Sequence, residues 1–244
     1  AIVSLKKGFG KPKPIKTTNN AWKAIPWTKV QRKVFKLQKS IFQAAKSGQD
    51  AKVRRWQRLL VKSYYARLLA VGCRGGFHGQ PCFPTVSLIN PPPQAGQGKK
   101  TAGVDGVRVI SPRQRFELVK NIKGNLKAKP LDGFGFQNLV GMKKAGIGIP
   151  TIQDRARQAL VKSALEPEWE SRFEGTSYGF RPGRSAHDAV SRIYTAINQG
   201  QYYVLDADKQ NALTVNHDYL LSKIHCPSSL KRDLKQWLKA GVLD

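Results

Sequence analysis

Acidic residues are scarce in this sequence. It carries 15 Asp and Glu against 43 Lys and Arg, which gives a formal net charge of +28. So large an excess of one sign destabilises a compact chain by self-repulsion, and a bound polyanion relieves it. Nucleic acid is a suitable polyanion, because each phosphate that the protein neutralises releases counterions and so favours binding. A membrane surface fits less well, because the basic residues are spread over the chain and not held on one amphipathic helix. The composition predicts a nucleic-acid partner and no membrane.

Cysteine is scarce as well. The three cysteines, Cys73, Cys82 and Cys226, are odd in number and show no disulfide spacing, which indicates a reducing compartment. Cys73, His78 and Cys82 lack a paired C-x-x-C and a clear fourth ligand, so we predict no zinc site. We expect neither a metal nor a cofactor.

Long apolar runs are absent. No run reaches the roughly 18 residues of a membrane span, and the N-terminus lacks a secretory pattern. Apolar residues nevertheless make up 40% of the chain and recur periodically. This excludes low-complexity disorder as a description of the whole chain.

The N-terminal part divides into a basic arm and a helical hairpin. Residues 1–26 place lysines among Gly and Pro, which predicts an extended basic arm. Residues 27–71 show apolar positions at three- and four-residue spacing in two stretches, interrupted after Ser47, and this predicts an antiparallel helical hairpin whose second helix covers 50–70. The polar faces of both helices are one-sidedly basic. We predict RNA contacts there from Arg32, Lys33, Lys36, Arg54, Arg55 and Arg58.

Residues 72–98 are dense in Gly and Pro and show no periodicity. For an insertion of this length we expect a functional loop, a loop docked on a partner, or a scar of an earlier insertion. The glycine-rich string that follows, 98–106, is similar to a phosphate loop. Lys100 stands where such a loop needs Ser or Thr, so no nucleotide cofactor is expected. Lys99 and Lys100 are instead predicted RNA contacts.

The remainder predicts further helices and one strand. The predicted helices cover 112–126, with Pro112 at the favoured first position, 154–165, opened by Asp154 and Arg155, 186–198 and pieces of 218–238. Ser185 is suited to cap the third of these helices. The apolar run at 201–208 predicts a buried strand.

The most specific motif is Ser177-Tyr-Gly-Phe-Arg-Pro-Gly-Arg184. It is predicted to form a turn that presents Arg181 and Arg184, together with two aromatic rings, to a phosphate backbone. This motif, the string at 98–106 and Ile147-Gly-Ile-Pro-Thr151 resemble the reverse transcriptase/maturase proteins encoded by group II introns.

The resemblance covers about 27–71 and 97–244, and it implies a fold and an activity. The implied fold class is α+β and mostly helical, with an N-terminal helical hairpin followed by reverse-transcriptase fingers and an incomplete palm over 99–244. The family performs RNA-templated DNA synthesis and binds introns to assist splicing. Since the string at 147–151, which stands before a helix, lines the template and nucleotide path in the family, the resemblance also implies an RNA contact for Arg155.

Polymerase chemistry requires carboxylates that hold two Mg²⁺ ions. By resemblance, Asp208 aligns with the family's first metal ligand, but the Tyr-Ala-Asp-Asp turn with the second pair is not in the sequence. Residues 134–144 and 209–215 also depart from the family strings, and both can be written as frame-shifted readings of codons for those strings. We therefore predict that Asp208 is vestigial and that the protein is not an enzyme.

These observations favour a non-catalytic RNA-binding protein, built into a large ribonucleoprotein such as an organellar ribosome. The alternatives are an intron-splicing maturase factor, or half of a split reverse transcriptase completed by another chain. The predicted partners are intron or ribosomal RNA and neighbouring ribonucleoprotein subunits. The predicted location is a mitochondrion, a chloroplast or the bacterial cytoplasm.

Overall fold

The computed structural model describes residues 19–74, 102–107, 109–123, 127–135, 146–198, 200–207, 215–240 and 242–243. These residues are mostly helical. The helices are α1 Asn19–Lys23, α2 Trp27–Lys46, α3 Asp50–Lys62, α4 Tyr64–Arg74, α5 Pro112–Asn121, α6 Ile152–Glu170, α7 Ala186–Ile197, α8 His217–Lys223 and α9 Ser228–Lys239. The strands are β1 Leu131–Gly135, β2 Gly146–Ile149 and β3 Val242–Leu243. The predicted helical character is confirmed.

The predicted hairpin is present, but its second helix is divided. Helix α2 buries one stripe, including Val34 and Ile41, against α3, α4 and α6. Ser63 has an extended backbone (φ −64°, ψ 129°), so α3 ends before it and α4 begins after it. The prediction of one continuous helix over 50–70 is therefore wrong. The break lets α4 turn and bury Leu68 and Val71 in the same core.

The end of the predicted basic arm belongs to the core. Residues 19–23 form α1, and Trp22 is only 1% exposed. Its ring meets the rings of Trp27 and Phe116 edge to face, with centroids 5.5 and 5.0 Å away. Burial of an indole on this scale outweighs the extended tendency of a Lys-rich segment, so the prediction of an arm reaching residue 26 is wrong for its last residues. Residues 1–18 lie outside the described residues.

Helix α6 is the centre of the packing, since α2, α3 and α4 all contact it. Thr151 caps it by accepting a hydrogen bond from the backbone N–H of Asp154. Ala156, Leu160 and Ala164 recur every four residues and are fully buried, so one face of the helix can lie against three neighbours at once. The helix continues five residues beyond the predicted end at 165.

Two buried polar contacts tie α6 to distant parts of the chain. The Arg157 guanidinium donates through Nε and Nη2 to Asp233 Oδ2 of α9, at 2.9 and 2.6 Å, and through Nη1 to the carbonyl of Ile122 at 2.6 Å. Gln57 of α3 donates to Glu168 Oε2 at 2.6 Å. These contacts fix the register of the helices, because misplacement would leave buried polar groups unpaired.

The β component is small. Strand β1 pairs antiparallel with β2 and parallel with β3, in the order β2-β1-β3. Residues 201–207 form no strand and are exposed, with Tyr203 107% and Leu205 89% accessible. The prediction of a buried strand is therefore wrong for 201–207. A strand needs a backbone partner, and no described segment pairs with this one.

Two predicted helix starts are confirmed by their caps. Ser111 and Gln114 form a reciprocal capping box before α5, and Ser185 and Asp188 form another before α7. Helix α5 ends at Asn121 and not near 126. No residue of α7 is buried, and its apolar side chains are exposed. No helix within the described ranges is long and apolar enough to cross a membrane.

We expect Gly103→Ala to destabilise the protein. An added Cβ would lie 2.9 Å from the carbonyl carbon and oxygen of Pro150 and 3.0 Å from the nitrogen of Thr151, so backbone would have to move. We predict a loss of about 1–3 kcal/mol of unfolding free energy in urea titrations. Gly175→Ala is the matched control, because its Cβ would meet nothing within 4 Å. Equal midpoints for both variants would contradict the predicted clash.

Candidate nucleic-acid interface

Helices α2 and α3 each carry a stripe of exposed cations. Helix α2 contains six Lys and Arg and no acidic residue, and α3 contains five with one acidic residue, Asp50. The exposed cations recur at three- and four-residue spacing, which places those of one helix on one face. We call them the cationic stripes, and they comprise Lys29, Arg32, Lys36 and Lys39 on α2 and Lys52, Arg55, Arg58 and Lys62 on α3.

The predicted contacts on these helices differ in exposure. Arg32, Lys36, Arg55 and Arg58 are exposed, whereas Lys33 and Arg54 are half-buried. The Lys33 ammonium lies 5.1 Å from the centroid of the Tyr65 ring. The exposed four therefore offer charge to a phosphate backbone at the lowest desolvation cost.

The arginine corner is the segment from Glu174 to Ser185 between α6 and α7. Arg181 lies inside it, with its side chain only 6% exposed. Its Nε and Nη2 donate to the Glu170 carboxylate at 3.1 and 2.6 Å. Its Nη1 donates to the carbonyls of Ser177, at 2.8 Å, and Glu174. The hydrogen bonds to Glu170 also raise the pKa of the guanidinium above its ordinary value.

This geometry argues against the predicted phosphate contact of Arg181. All three guanidinium nitrogens donate within the protein, so an RNA phosphate would have to displace a carboxylate and two carbonyls. The physical reason is the proximity of Glu170 across the turn, which the motif alone does not include. Arg181 instead closes the corner.

We expect Arg181→Ala to lower the unfolding free energy by about 2 kcal/mol, the scale of hydrogen bonds to charged groups. The salt dependence of RNA binding should stay unchanged, because the lost groups face inward. Chemical denaturation and filter binding at several salt concentrations measure the two effects. A shallower salt dependence with unchanged stability would restore the predicted phosphate contact.

The other predicted residues are distributed over separate elements. Arg184 is half-buried, donates to the Gly175 carbonyl and lies 5.2 Å from the Tyr178 ring centroid. Arg155 is half-buried in the first turn of α6. Lys99, Lys100 and Asp208 lie outside the described residues. Within the described part of the chain, no group of three His, Cys, Asp or Glu side chains could hold a metal ion.

The stretch of sequence around the corner is less basic than the rest of the chain. Residues 166–192 contain five acidic residues and four arginines, in a chain with only 15 acidic residues in total. Asp188 is held by Ser185, whose hydroxyl and backbone N–H keep the pKa of the carboxyl below its ordinary value. The acidic residues of the helix before the corner are evident in the sequence, whereas the pairing of Arg181 with Glu170 is not.

Two of the sequence motifs, those at 98–106 and 147–151, lie against each other at the start of α6. Gly103 approaches Pro150 so closely that a side chain could not fit between them. The turn at 102–107 thus lies against the segment that leads into the Thr151 cap. Sequence proximity cannot show this contact, because the two strings are separated by more than forty residues.

Comparison with known proteins identifies relatives of this arrangement. A family model for the N-terminal domain of reverse transcriptase matches residues 22–73, starting at the buried Trp22 and including both cationic stripes. Maturase-like protein 1 of Euglena gracilis is 28% identical over 222 residues, which are 88% of this chain and 44% of the relative.

Two bacterial proteins are also similar. Protein YkfC of Escherichia coli is 31% identical over 165 residues, 62% of this chain and 43% of the relative. Group II intron-encoded protein LtrA of Lactococcus lactis is 26% identical over 156 residues, 62% of this chain and 26% of the relative. The chain spans less than half the length of these relatives. By sequence, it is related to the maturases and reverse transcriptases of group II introns.

Proposed function

We propose that the protein is a maturase-type factor that binds intron RNA through the cationic stripes. The observation that carries this proposal is the pair of one-sidedly basic, exposed helix faces inside the segment that matches the reverse transcriptase N-terminal domain. Phosphate contacts position a protein on RNA, and shape recognition of a folded RNA needs little base readout. Arg32, Lys36, Arg55 and Arg58 are the proposed primary contacts, and Lys33, Arg54, Arg155, Arg184, Lys99 and Lys100 are proposed secondary ones.

Intron RNA is favoured over ribosomal RNA. Relatives of this chain are named as maturases or as intron-encoded proteins. The sequence features that suggested a ribosomal subunit were the lost chemistry, the high positive charge and the basic arm. The charge and the arm serve binding to any large RNA. The names of the relatives therefore support intron RNA, whereas the composition does not distinguish the two RNA classes.

The proposed domain organisation combines the resemblance with the structure. An N-terminal helical unit over 27–71, extended at its start by α1, is followed by the insertion at 72–98. Residues 99–244 form reverse-transcriptase-like fingers and an incomplete palm in this proposal. Helices α2, α3 and α4 all pack against α6, which supports a single packed core that includes parts of 27–71 and of 99–244.

The proposed function does not include DNA synthesis. A two-metal site needs several carboxylates, and the segments around 134–144 and 209–215 depart from the family strings. The alternative of a split reverse transcriptase requires that those segments still build a palm. Mg²⁺-dependent primer extension in the presence of co-purifying polypeptides tests this alternative directly.

Location follows from the relatives as a proposal. The Arabidopsis relatives are named as mitochondrial, whereas those of Escherichia and Lactococcus are bacterial. We propose an organelle as the compartment. Imaging of the tagged protein in its native cells checks this.

Crosslinking the native protein to RNA and sequencing the bound RNA tests the function. Recovery of intron sequences above their cellular abundance is the expected result. Recovery of ribosomal RNA in stoichiometric amount would contradict the splicing role and indicate a structural role in the ribosome. Recovery of no RNA above a matched, non-crosslinked control would contradict RNA binding itself.

A further inference from the structure

Phe180, at the apex of the arginine corner, combines two unfavourable features. Its backbone has φ +56°, and among the described residues it is the one non-glycine residue with positive φ. Its ring is fully exposed, at 106% of the reference accessibility. A bulky side chain in the left-handed region is strained, and a ring in water gains nothing from folding. Folding alone therefore does not account for phenylalanine at this position.

The surrounding corner holds Phe180 rigidly. Arg181, the next residue, is fixed through Glu170 and the carbonyls of Glu174 and Ser177. Gly183 supplies a second positive φ, +69°, and relieves strain where the chain turns into α7. The apex is thus pre-organised, so a ligand that contacts the ring does not have to order the loop.

The aromatic rings of Phe173, just before the corner, and of Tyr178, inside it, each already hold a cation. The Arg181 guanidinium lies 5.2 Å from the centroid of Phe173, and that of Arg184 lies 5.2 Å from the centroid of Tyr178. Phe180 has no such cation over its ring among the described contacts. Its faces are therefore open to a flat ligand.

We propose that Phe180 is a stacking platform for an unpaired nucleobase of RNA, an inference that rests on the proposed function. A phosphate group does not fit the apex, because the adjacent guanidinium of Arg181 donates inward to Glu170 and to two backbone carbonyls. A nucleobase fits, because stacking on an aromatic ring needs only an exposed π-face and tolerates any base.

A protein partner fits the apex less well. Energetically important side chains of protein interfaces lie inside large patches that exclude water. In the corner, Thr176, Ser177 and Gly179 are exposed and are polar or glycine, whereas Arg181 is buried. A ring next to exposed polar and glycine residues offers one planar contact, which matches the size of one base.

Binding of single-stranded and double-stranded RNA to the full chain tests the proposal. The probes are fluorescein-labelled oligo(A) of about 20 nucleotides, a few protein footprints long, and a duplex RNA of the same length. Phe180→Ala should weaken binding of oligo(A) about five- to a hundredfold, the value of one stacked base. Binding of the duplex should not change, because paired bases cannot stack on the ring. The salt dependence of binding should not change for either probe, because the ring carries no charge. Phe180→Trp should restore the affinity.

Two further variants make the outcome decisive. Tyr219→Ala removes another exposed ring, on α8, and should leave oligo(A) binding unchanged. Phe180→Gly removes both the ring and the strain, so it should lose affinity while its Tm rises by a few degrees. A lower Tm would show that the ring stabilises the fold and would overturn the proposal.

The results separate this inference from the proposed function. If the wild-type protein binds RNA and Phe180→Ala binds oligo(A) equally well, the stacking platform is refuted and the proposed function stands. Equal losses on single-stranded and duplex RNA would also refute it, because stacking requires an unpaired base. If the wild-type protein binds neither probe, the proposed function itself fails.

Discussion

Replacing Asp233 by alanine is expected to cost about 3–5 kcal/mol of unfolding free energy, the largest single-residue effect that we predict. Asp233 accepts two hydrogen bonds from Arg157, at 2.6 and 2.9 Å, and both side chains are about 95% buried. The variant would leave the Arg157 charge inside the protein without its carboxylate. Removing one member of a buried pair costs more than the pair contributes, because desolvation of the survivor is no longer offset.

A double-mutant cycle and an exposed pair provide the controls. Replacing both members, with Arg157→Met and Asp233→Leu, should recover much of the loss because no buried charge remains. The Ile122 carbonyl would still lose its donor, so recovery should be incomplete. Arg113→Ala breaks an exposed ion pair with Glu117 at 3.7 Å and should change stability by no more than about 0.5 kcal/mol. Equal urea midpoints for Asp233→Ala and Arg113→Ala would show that water reaches the pair.

The second large effect concerns RNA affinity. The fourfold variant Arg32→Ala, Lys36→Ala, Arg55→Ala and Arg58→Ala removes the exposed centre of the cationic stripes. Each lost phosphate contact lowers the slope of log K against log salt by about 0.7–0.9, so four contacts lower it by about 3. At about 0.1 M salt this corresponds to a loss of about a thousandfold in affinity. Filter binding over a salt series measures both quantities.

A charge-matched variant distinguishes a defined interface from general attraction. Lys120, Lys123, Lys127 and Lys129 are also exposed, and replacing these four by alanine removes the same net charge elsewhere. The control should keep most of the affinity and most of the salt slope. Circular dichroism should show unchanged helix content in both variants. Equal losses in the two fourfold variants would place the RNA-binding surface outside α2 and α3.

Local chemistry explains which elements were predictable. Ser111 and Ser185 lie three residues before a side chain that completes a capping box, and this interaction depends only on neighbours in sequence. The apolar spacing of α2 likewise predicts its buried face, because the periodicity of a helix is intrinsic. The break at Ser63 was not predictable in this way, since α4 gains its burial from α2, α5 and α6.

The candidate site was predictable in part for the same reason. The exposed cations of α2 and α3 follow from helical spacing opposite an apolar stripe. The inward orientation of Arg181 does not, because its carboxylate partner lies eleven residues earlier, on the last turn of α6. The prediction treated Arg181 and Arg184 as equivalent, whereas Arg181 is buried and Arg184 is half-buried.

The amino-acid sequence by itself determined the strong positive charge, the helical periodicity and the local caps, because these depend on composition and near neighbours. It also carried the motifs that relate the chain to intron-encoded proteins. Tertiary structure alone decided which charged groups pair with other groups inside the protein and which side chains reach solvent. Arg157 and Asp233 are 76 residues apart, and Gln57 and Glu168 are 111 apart, so their pairing depends on how the helices pack around α6. Long-range packing sets the desolvation of each charge, and desolvation decides whether an arginine holds the fold together or faces RNA.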